Sequence, residues 1–371
     1  MKKTGHRIRL AALILKETRQ MVRDKSTLTL GIILPGLLII LFGYGLSLDV
    51  TLVPVAVVRD TAAPATRDLL TALSLSRYFA PVPTTSMQEA EKLLRAEKVD
   101  AIVRRDPKES GDGSGAVQII LNGRDANKSR IIQRYLESAV ALWAEKNAPA
   151  DRESGGGTAV AESRVWYNHA MESSYFLVPG VVMLVMTLIG SLLTALVMAR
   201  EWERGTFEAL LATPVTVNEI VTGKIVPYFL LGMAGLSICL AASSFLFGVP
   251  IRGSLPLLVA GSALYLLVAL GIGLFISAAV KSQFLASQIV LVFCFLPTLM
   301  LSGFIFDLQS APAAVYYIAH VFPATWYVDL IQTLFLVGDV PFIIARDFAV
   351  LAAFAALMLG LARAATRKSL E

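Results

Sequence analysis

Charge is scarce in this chain. Only 16% of its residues are Asp, Glu, Lys or Arg, against roughly 25% in a soluble domain. Hydrophobic residues make up 56%, and the mean hydropathy is +0.65. That balance excludes an ordinary soluble domain and points to an integral membrane protein. Cysteine and histidine are scarcer still. Cys239 and Cys294 both fall in apolar runs, where a small packed side chain is a better reading than a disulfide or a metal ligand. His6, His169 and His320 lie in different segments, so no metal site is expected.

Two energy sources are missing as well. Gly223-Lys224 is the one Gly-Lys pair followed by an apolar run, but Ile225 stands where a P-loop needs Ser or Thr, and Asn218 where it needs its first Gly. The chain is therefore not expected to bind ATP by that route. An ion-coupled carrier leaves ionisable residues in mid-membrane. Here the predicted spans hold only Lys281, Arg346 and Asp347, all at their edges. A transporter of this composition takes its energy from a partner. FGYG (42–45) resembles a potassium-channel filter, but it ends a continuous apolar run instead of forming a pore loop. SGDGSG (110–115) leads into a strand, and Asp112 would repel an anion, so it reads as a surface turn.

What is present is a set of apolar runs near 28–48, 175–199, 225–248, 256–280, 284–306 and 342–362, each long enough to cross roughly 30 Å of hydrocarbon as a helix. The N-terminal basic region runs to Lys25. Despite Gly45 and Ser47, the first run is therefore read as an uncleaved span. Lys2, Lys3, Arg7, Arg9, Lys16, Arg19, Arg23 and Lys25 precede that span and place the N-terminus in the cytoplasm. Six crossings put Arg200, Arg204, Lys224, Lys281, Arg363, Arg367 and Lys368 on the same side, with only Arg252 and Arg346 in the short outer loops.

Residues 1–27 contain an amphipathic stretch, 8–22, with Ile8, Ala11, Ala12, Leu15 and Val22 on one stripe, which suggests a helix lying on the inner surface, with a plain helical extension of the first span as the alternative. Residues 50–172 read as an extracytoplasmic α/β domain. Strands are expected at 53–60 and 116–123 and helices at 64–79 and 126–147, while 86–105 is a Ser-capped helix running into a short strand. SGGG (154–157) is a flexible break before the return to the membrane. Residues 308–340 are apolar but divided by Pro312, His320, Pro323 and Asp329, which predicts a re-entrant or interfacial helical hairpin in place of a seventh span.

The densest motif is REWERGTFEALLATPVTVNEIVTGK, residues 200–224, between the second and third runs. Glu201, Glu203, Arg204 and Glu208 alternate with Trp202, Phe207, Leu210 and Leu211, and Thr213-Pro214 stops the helix. The apolar members are expected to anchor in a partner's groove while the charges set register. A solvated helix covering the bundle floor is the bland alternative.

This motif, with EIVTGKIVPY (219–228), YFLVPG (175–180), LSGFIF (301–306) and FPATWYVDLIQ (322–332), resembles the ABC-2 transporter permeases, the membrane subunits of type V ABC exporters. The likeness covers essentially the whole chain, and these motifs resemble the multidrug branch with a large outer domain. It implies six transmembrane helices, an inserted α/β extracytoplasmic domain, a hairpin before the sixth span, and a location in the bacterial inner membrane. It also implies that Glu201, Glu203, Arg204, Gly205, Thr206, Glu208, Leu211, Thr213 and Pro214 form a coupling helix that docks on a separate ATPase, and that Gly223 and Lys224 mark the entry to the third span. ATP and Mg would be held by that ATPase, with no cofactor on this chain. The partners implied are the ABC ATPase, a second permease copy or paralogue and membrane lipids, with a periplasmic adaptor also considered and no nucleic acid. Asp307, Gln332 and His169 depart from common family residues on the expected outer side. Phe176, Met183, Met186, Phe293, Phe295, Met300 and Phe304 are expected to line a path for amphipathic or lipid-like cargo. A non-transporting scaffold that displays the outer domain is the competing function.

Overall fold

The computed structural model describes residues 2–45, 52–58, 64–76, 78–96, 98–106, 116–122, 126–146, 173–305, 308 and 311–366. The stretches 110–115 and 154–157, Asp307 and His169 lie outside them. The chain divides into two compact units: Met1–Ser47 with Val165–Glu371, and Leu48–Arg164.

The smaller unit is a four-stranded sheet with helices on both faces. Its elements are β1 (Val53–Val58), α4 (Pro64–Ser74), β2 (Phe79–Thr84), α5 (Met87–Arg95), β3 (Ala101–Asp106), β4 (Ala116–Leu121) and α6 (Ala126–Lys146). The strand order is β2-β1-β3-β4, with β1 parallel to β2 and β3, and β3 antiparallel to β4. Val55 and Val57 pack with Leu69, Leu73, Ile132 and Leu136 on one face, and Ala56 and Val58 pack with Ala90, Val99 and Ile102 on the other. Burial on both faces explains why β1 is a continuous apolar run instead of an alternating one. Ser86 caps α5 by accepting the Glu89 N–H. The sequence reading ran a helix over 64–79 and missed β2. The helix stops at Ser74, and FAPVPT pairs with β1 from the sheet edge, where Pro81 and Pro83 are tolerated because one side needs no donor.

The larger unit is helical. Helix α1 (Lys2–Arg23) is followed by α2 (Lys25–Leu28), a π-helical turn at Thr29–Ile33, and α3 (Leu34–Gly45). Asp24 caps α2 by accepting the Ser26 N–H. FGYG forms the last turn of α3 and not a pore loop. The remaining helices are α7 (Ser173–Glu203), α8 (Thr206–Leu211), α9 (Val217–Phe245), α10 (Leu255–Val280), α11 (Gln283–Ile289), α12 (Leu296–Leu301), α13 (Ala313–His320), α14 (Pro323–Gln332) and α15 (Pro341–Ala365). A π-helical turn, Val290–Phe295, makes α11 and α12 one continuous rod.

Six helices among the described residues are long and apolar enough to cross a membrane: Lys25–Tyr44, Ser174–Glu203, Val217–Phe245, Leu255–Val280, Gln283–Leu301 and Pro341–Ala365. At 1.5 Å per residue, the short α13 and α14 cannot add a seventh. Helix α7 is the hub, buried along 83% of its apolar stretch against 17% for Gln283–Leu301. Its tightest neighbour is α10. A Cβ on Gly273 would lie 2.2 Å from the Ser191 carbonyl oxygen, so only glycine lets the two backbones approach this closely. Across the same contact, Ala199 N–H donates to Ser277 Oγ at 2.6 Å. Tyr265 stacks on Tyr327 of α14 at 4.1 Å between centroids, and Tyr327 OH donates to Ser262 Oγ at 2.8 Å. Each buried hydroxyl named here has a partner, as a low-dielectric interior demands.

Candidate functional site

The sequence reading began the third span after Lys224, but α9 starts at Val217, and α7 continues through Glu203. Charged residues are therefore built into the ends of these two helices. Thr216 and Glu219 form a capping box at the start of α9. Glu219 is fully buried and also receives His6 Nδ1 at 2.6 Å and Arg9 Nη2 at 3.1 Å.

Five residues further along α9, Lys224 is 1% exposed. Its Nζ lies 2.6 Å from Glu201 Oε2 and 3.2 Å from Glu17 Oε1. Lys16 adds a second ammonium, 3.0 Å from Glu17 and in contact with Glu201. Two carboxylates and two ammoniums thus join α1, α7 and α9. Burial alone would lower the Lys16 pKa, but Glu17 and Glu201 outweigh it and hold it above its ordinary value. At the end of α1, Asp24 pairs with Arg200. Burial would raise the Asp24 carboxyl, yet the hydrogen bonds from Arg200 and Thr27 hold it below the usual range.

The expected coupling residues separate into an inward and an outward set. Glu201 is turned inward, into the ion cluster. Phe207 is also turned inward, which corrects its assignment as a docking anchor. It is fully buried with Leu13, Met198, Val215, Ile220, Leu274, Ala278 and Ala362, and the Trp202 ring lies tilted against it, 4.5 Å between centroids, with Lys281 Nζ 4.4 Å from the indole centroid. These two apolar side chains fix the segment to the bundle. Glu203 is exposed but accepts the Gln283 N–H at 2.7 Å. Arg204, Gly205, Thr206, Glu208, Thr213 and Pro214 are exposed, and Leu211 lies at the end of α8. Gly205 turns the chain between α7 and α8 in the left-handed region, with φ of +66°. Thr213 Oγ1 donates to the Leu210 carbonyl at 2.6 Å, closing α8 before Pro214.

The cargo-path residues do not form one wall. Met183 and Met186 are fully buried. Phe176 and Phe304 stack at 6.4 Å between centroids. Phe293 is 68% exposed and edges a cavity of about 340 Å³ lined also by Thr187, Tyr265, Thr298 and Met358. Phe295 is half-buried and Met300 is exposed, and neither lines that cavity. Sequence reasoning missed the cluster of Lys16, Glu17 and Lys224. The available signal was Glu17 lying in helical register with Leu13 and Met21, all three buried, instead of on the charged face.

A sequence model of the ABC-2 family of transporter proteins matches residues 25–364. The chain belongs to the ABC-2 family. This ABC-2 protein is 36% identical over 368 residues to the probable multidrug ABC transporter permease YbhS of Escherichia coli (strain K12), covering 98% of both chains. It is 28% identical over 344 residues to the probable multidrug ABC transporter permease YbhR of the same strain, covering 88% of this chain and 90% of the relative. It is also 31% identical over 230 residues to the inner membrane transport permease YhhJ of that strain, covering 61% of this chain and 55% of the relative.

Proposed function

We infer that this ABC-2 protein is the permease subunit of an ABC exporter in the bacterial inner membrane, with ATP hydrolysis on a separate ATPase subunit that holds ATP and Mg. The observation that carries the reading is the outward face of residues 204–214 mounted on an inward-facing Phe207 and Glu201. A load applied to that face enters α7 and α9 through the ion cluster, and α10 and α15 through Leu274, Ala278 and Ala362. Packed interiors transmit displacement because they have little free volume. Two ATPases closing on ATP would push this face in each of two permease copies and tilt the helices.

Orientation follows the excess of Lys and Arg at the α1 end of the bundle, which supports a cytoplasmic placement of that end and of both termini. The sheet unit would then lie outside the membrane, where it would contact a periplasmic adaptor. Helices α13 and α14 would form a hairpin re-entering the outer leaflet, consistent with exposed Tyr317 and Ile318 on α13 and buried Tyr327 and Ile331 on α14. The relatives' names support amphipathic, drug-like cargo, and the cavity edged by Phe293 is an apolar surface suited to it.

The test is a mild-detergent pull-down of the tagged protein from native membranes. A P-loop ATPase retained by the parent and lost from a Glu208→Arg variant of unchanged thermal stability supports the reading. Parent protein free of ATPase, under conditions that preserve a known ABC complex, overturns it.

A further inference from the structure

At the end of the bundle where α1 meets the start of α2 and the end of α7 lies a cleft of about 660 Å³. Five cationic side chains line it: Lys16, Arg19, Arg23, Arg200 and Arg204. Its two carboxylates, Glu201 and Asp24, are already engaged by Lys16 with Lys224 and by Arg200. Among the described residues, Arg19, Arg23 and Arg204 have no carboxylate in ion-pair contact. The cleft therefore brings together Arg19 and Arg23, which have no carboxylate in contact, and Arg204, whose charge is shared only with the exposed Glu203 beside it. A guanidinium binds a phosphate oxygen pair through two parallel N–H donors.

The depth of the cleft selects the anion. Arg23 ends α1 directly before the span that begins at Lys25, and Arg200 lies in the last turn of the span ending at Glu203. With the spans crossing a bilayer in the orientation inferred above, both would sit where hydrocarbon gives way to headgroups. Helix α1 itself is built to lie in that layer. It packs on the bundle through Leu13, Glu17 and Met21, while Ile8, Leu15 and Val22 form an apolar stripe 50–65% exposed.

We propose that this cleft binds the headgroup of an anionic phospholipid, the glycerophosphate diester being held by Arg19, Arg23 and Arg204 while the acyl chains run beside the apolar stripe of α1. The sequence expectation of an amphipathic helix at the membrane surface thereby becomes a specific lipid site. Basic pockets at the cytoplasmic ends of membrane helices suit such headgroups. The proposal rests on the orientation inferred above. A bound lipid would brace α1 against the segment that carries Arg204, so the lipid composition of the inner leaflet would tune coupling.

The test is native mass spectrometry of the full-length chain in mild detergent, titrated separately with phosphatidylglycerol, phosphatidylcholine and inorganic phosphate. Three proteins are compared: the parent, Arg19→Gln with Arg23→Gln, and the charge-matched control Arg7→Gln with Lys25→Gln. Thermal unfolding verifies that all three are folded, and ATPase co-purification is scored on the same preparations. The expected result is selective phosphatidylglycerol retention by the parent, weakened on the order of tenfold or more in the Arg19, Arg23 variant and little changed in the control. Equal binding of phosphatidylcholine, equal loss in the control, or displacement of lipid by inorganic phosphate overturns the proposal. Retention of the ATPase in those cases leaves the exporter reading standing, so the two failures are distinguishable.

Discussion

Lys224 Nζ lies 2.6 Å from Glu201 Oε2, and both side chains are buried. The pair ties the start of α9 to the end of α7, and through Glu17 and Lys16 it also holds α1. Glu201 and Lys224 thus act inside the protein, while neighbouring residues of the same motif face outward. Removing one member of a buried ion pair strands the charge left behind.

Lys224→Met should therefore destabilise the protein by about 3–5 kcal/mol, because Glu17 and Glu201 lose a shared counter-ion. Combining it with Glu201→Gln should restore part of that loss. Thermal or denaturant unfolding of the detergent-solubilised single and double variants measures the coupling. Simple additivity would show that the contact carries no interaction energy.

Gly205 has open space where a Cβ would stand, so a substitution there tests backbone conformation alone. Gly205→Val should cost roughly 1–2 kcal/mol or more from left-handed strain, and Gly205→Asn distinctly less. The same order is expected in ATPase stimulation by cargo, since this residue sets the angle of α8. Equal effects of Asn and Val would mean the left-handed turn is not maintained.

Gly273→Ala should wedge α10 away from α7, since the added methyl meets the Ser191 carbonyl and Thr194 Oγ1. A cost of about 1–3 kcal/mol is expected, read as a fall in melting temperature. Gly360→Ala on α15, where nothing lies near the added atom, should be neutral or slightly stabilising.

Asp24 has a folded-state pKa below its unfolded value because Arg200 and Thr27 hydrogen-bond its carboxylate. Its contribution to stability is thus fully present above the unfolded value, about pH 4, and is lost as pH falls through the lower folded value. Melting temperatures measured from neutral pH down through that range should fall less steeply for Asp24→Asn than for the parent. Parallel curves would contradict the pairing.

The helical part was legible because runs near 20 apolar residues have few alternatives in a membrane, and Pro312 and Pro323 marked the break before α13 and α14. The limits of α7 and α9 were not legible. Charged residues end an apolar run but need not end a helix, and only the pairing of Glu201 with Lys224 shows why both helices continue. Strand β2 was hidden by two prolines that an edge position tolerates. The motif 200–214 was easy to find, but its facing was not. Phe207 looked like an exposed anchor because its burial depends on Leu13 and Ala362, far away in the chain.

The central claim is that the exposed face of residues 204–214 meets the ATPase. A photo-reactive amino acid placed at Glu208, or at the exposed Tyr317 of α13, and irradiated in native membranes tests it most directly. The account predicts an ATPase adduct from position 208 and none from position 317. An adduct from 317 with none from 208 would contradict both the orientation and the coupling role.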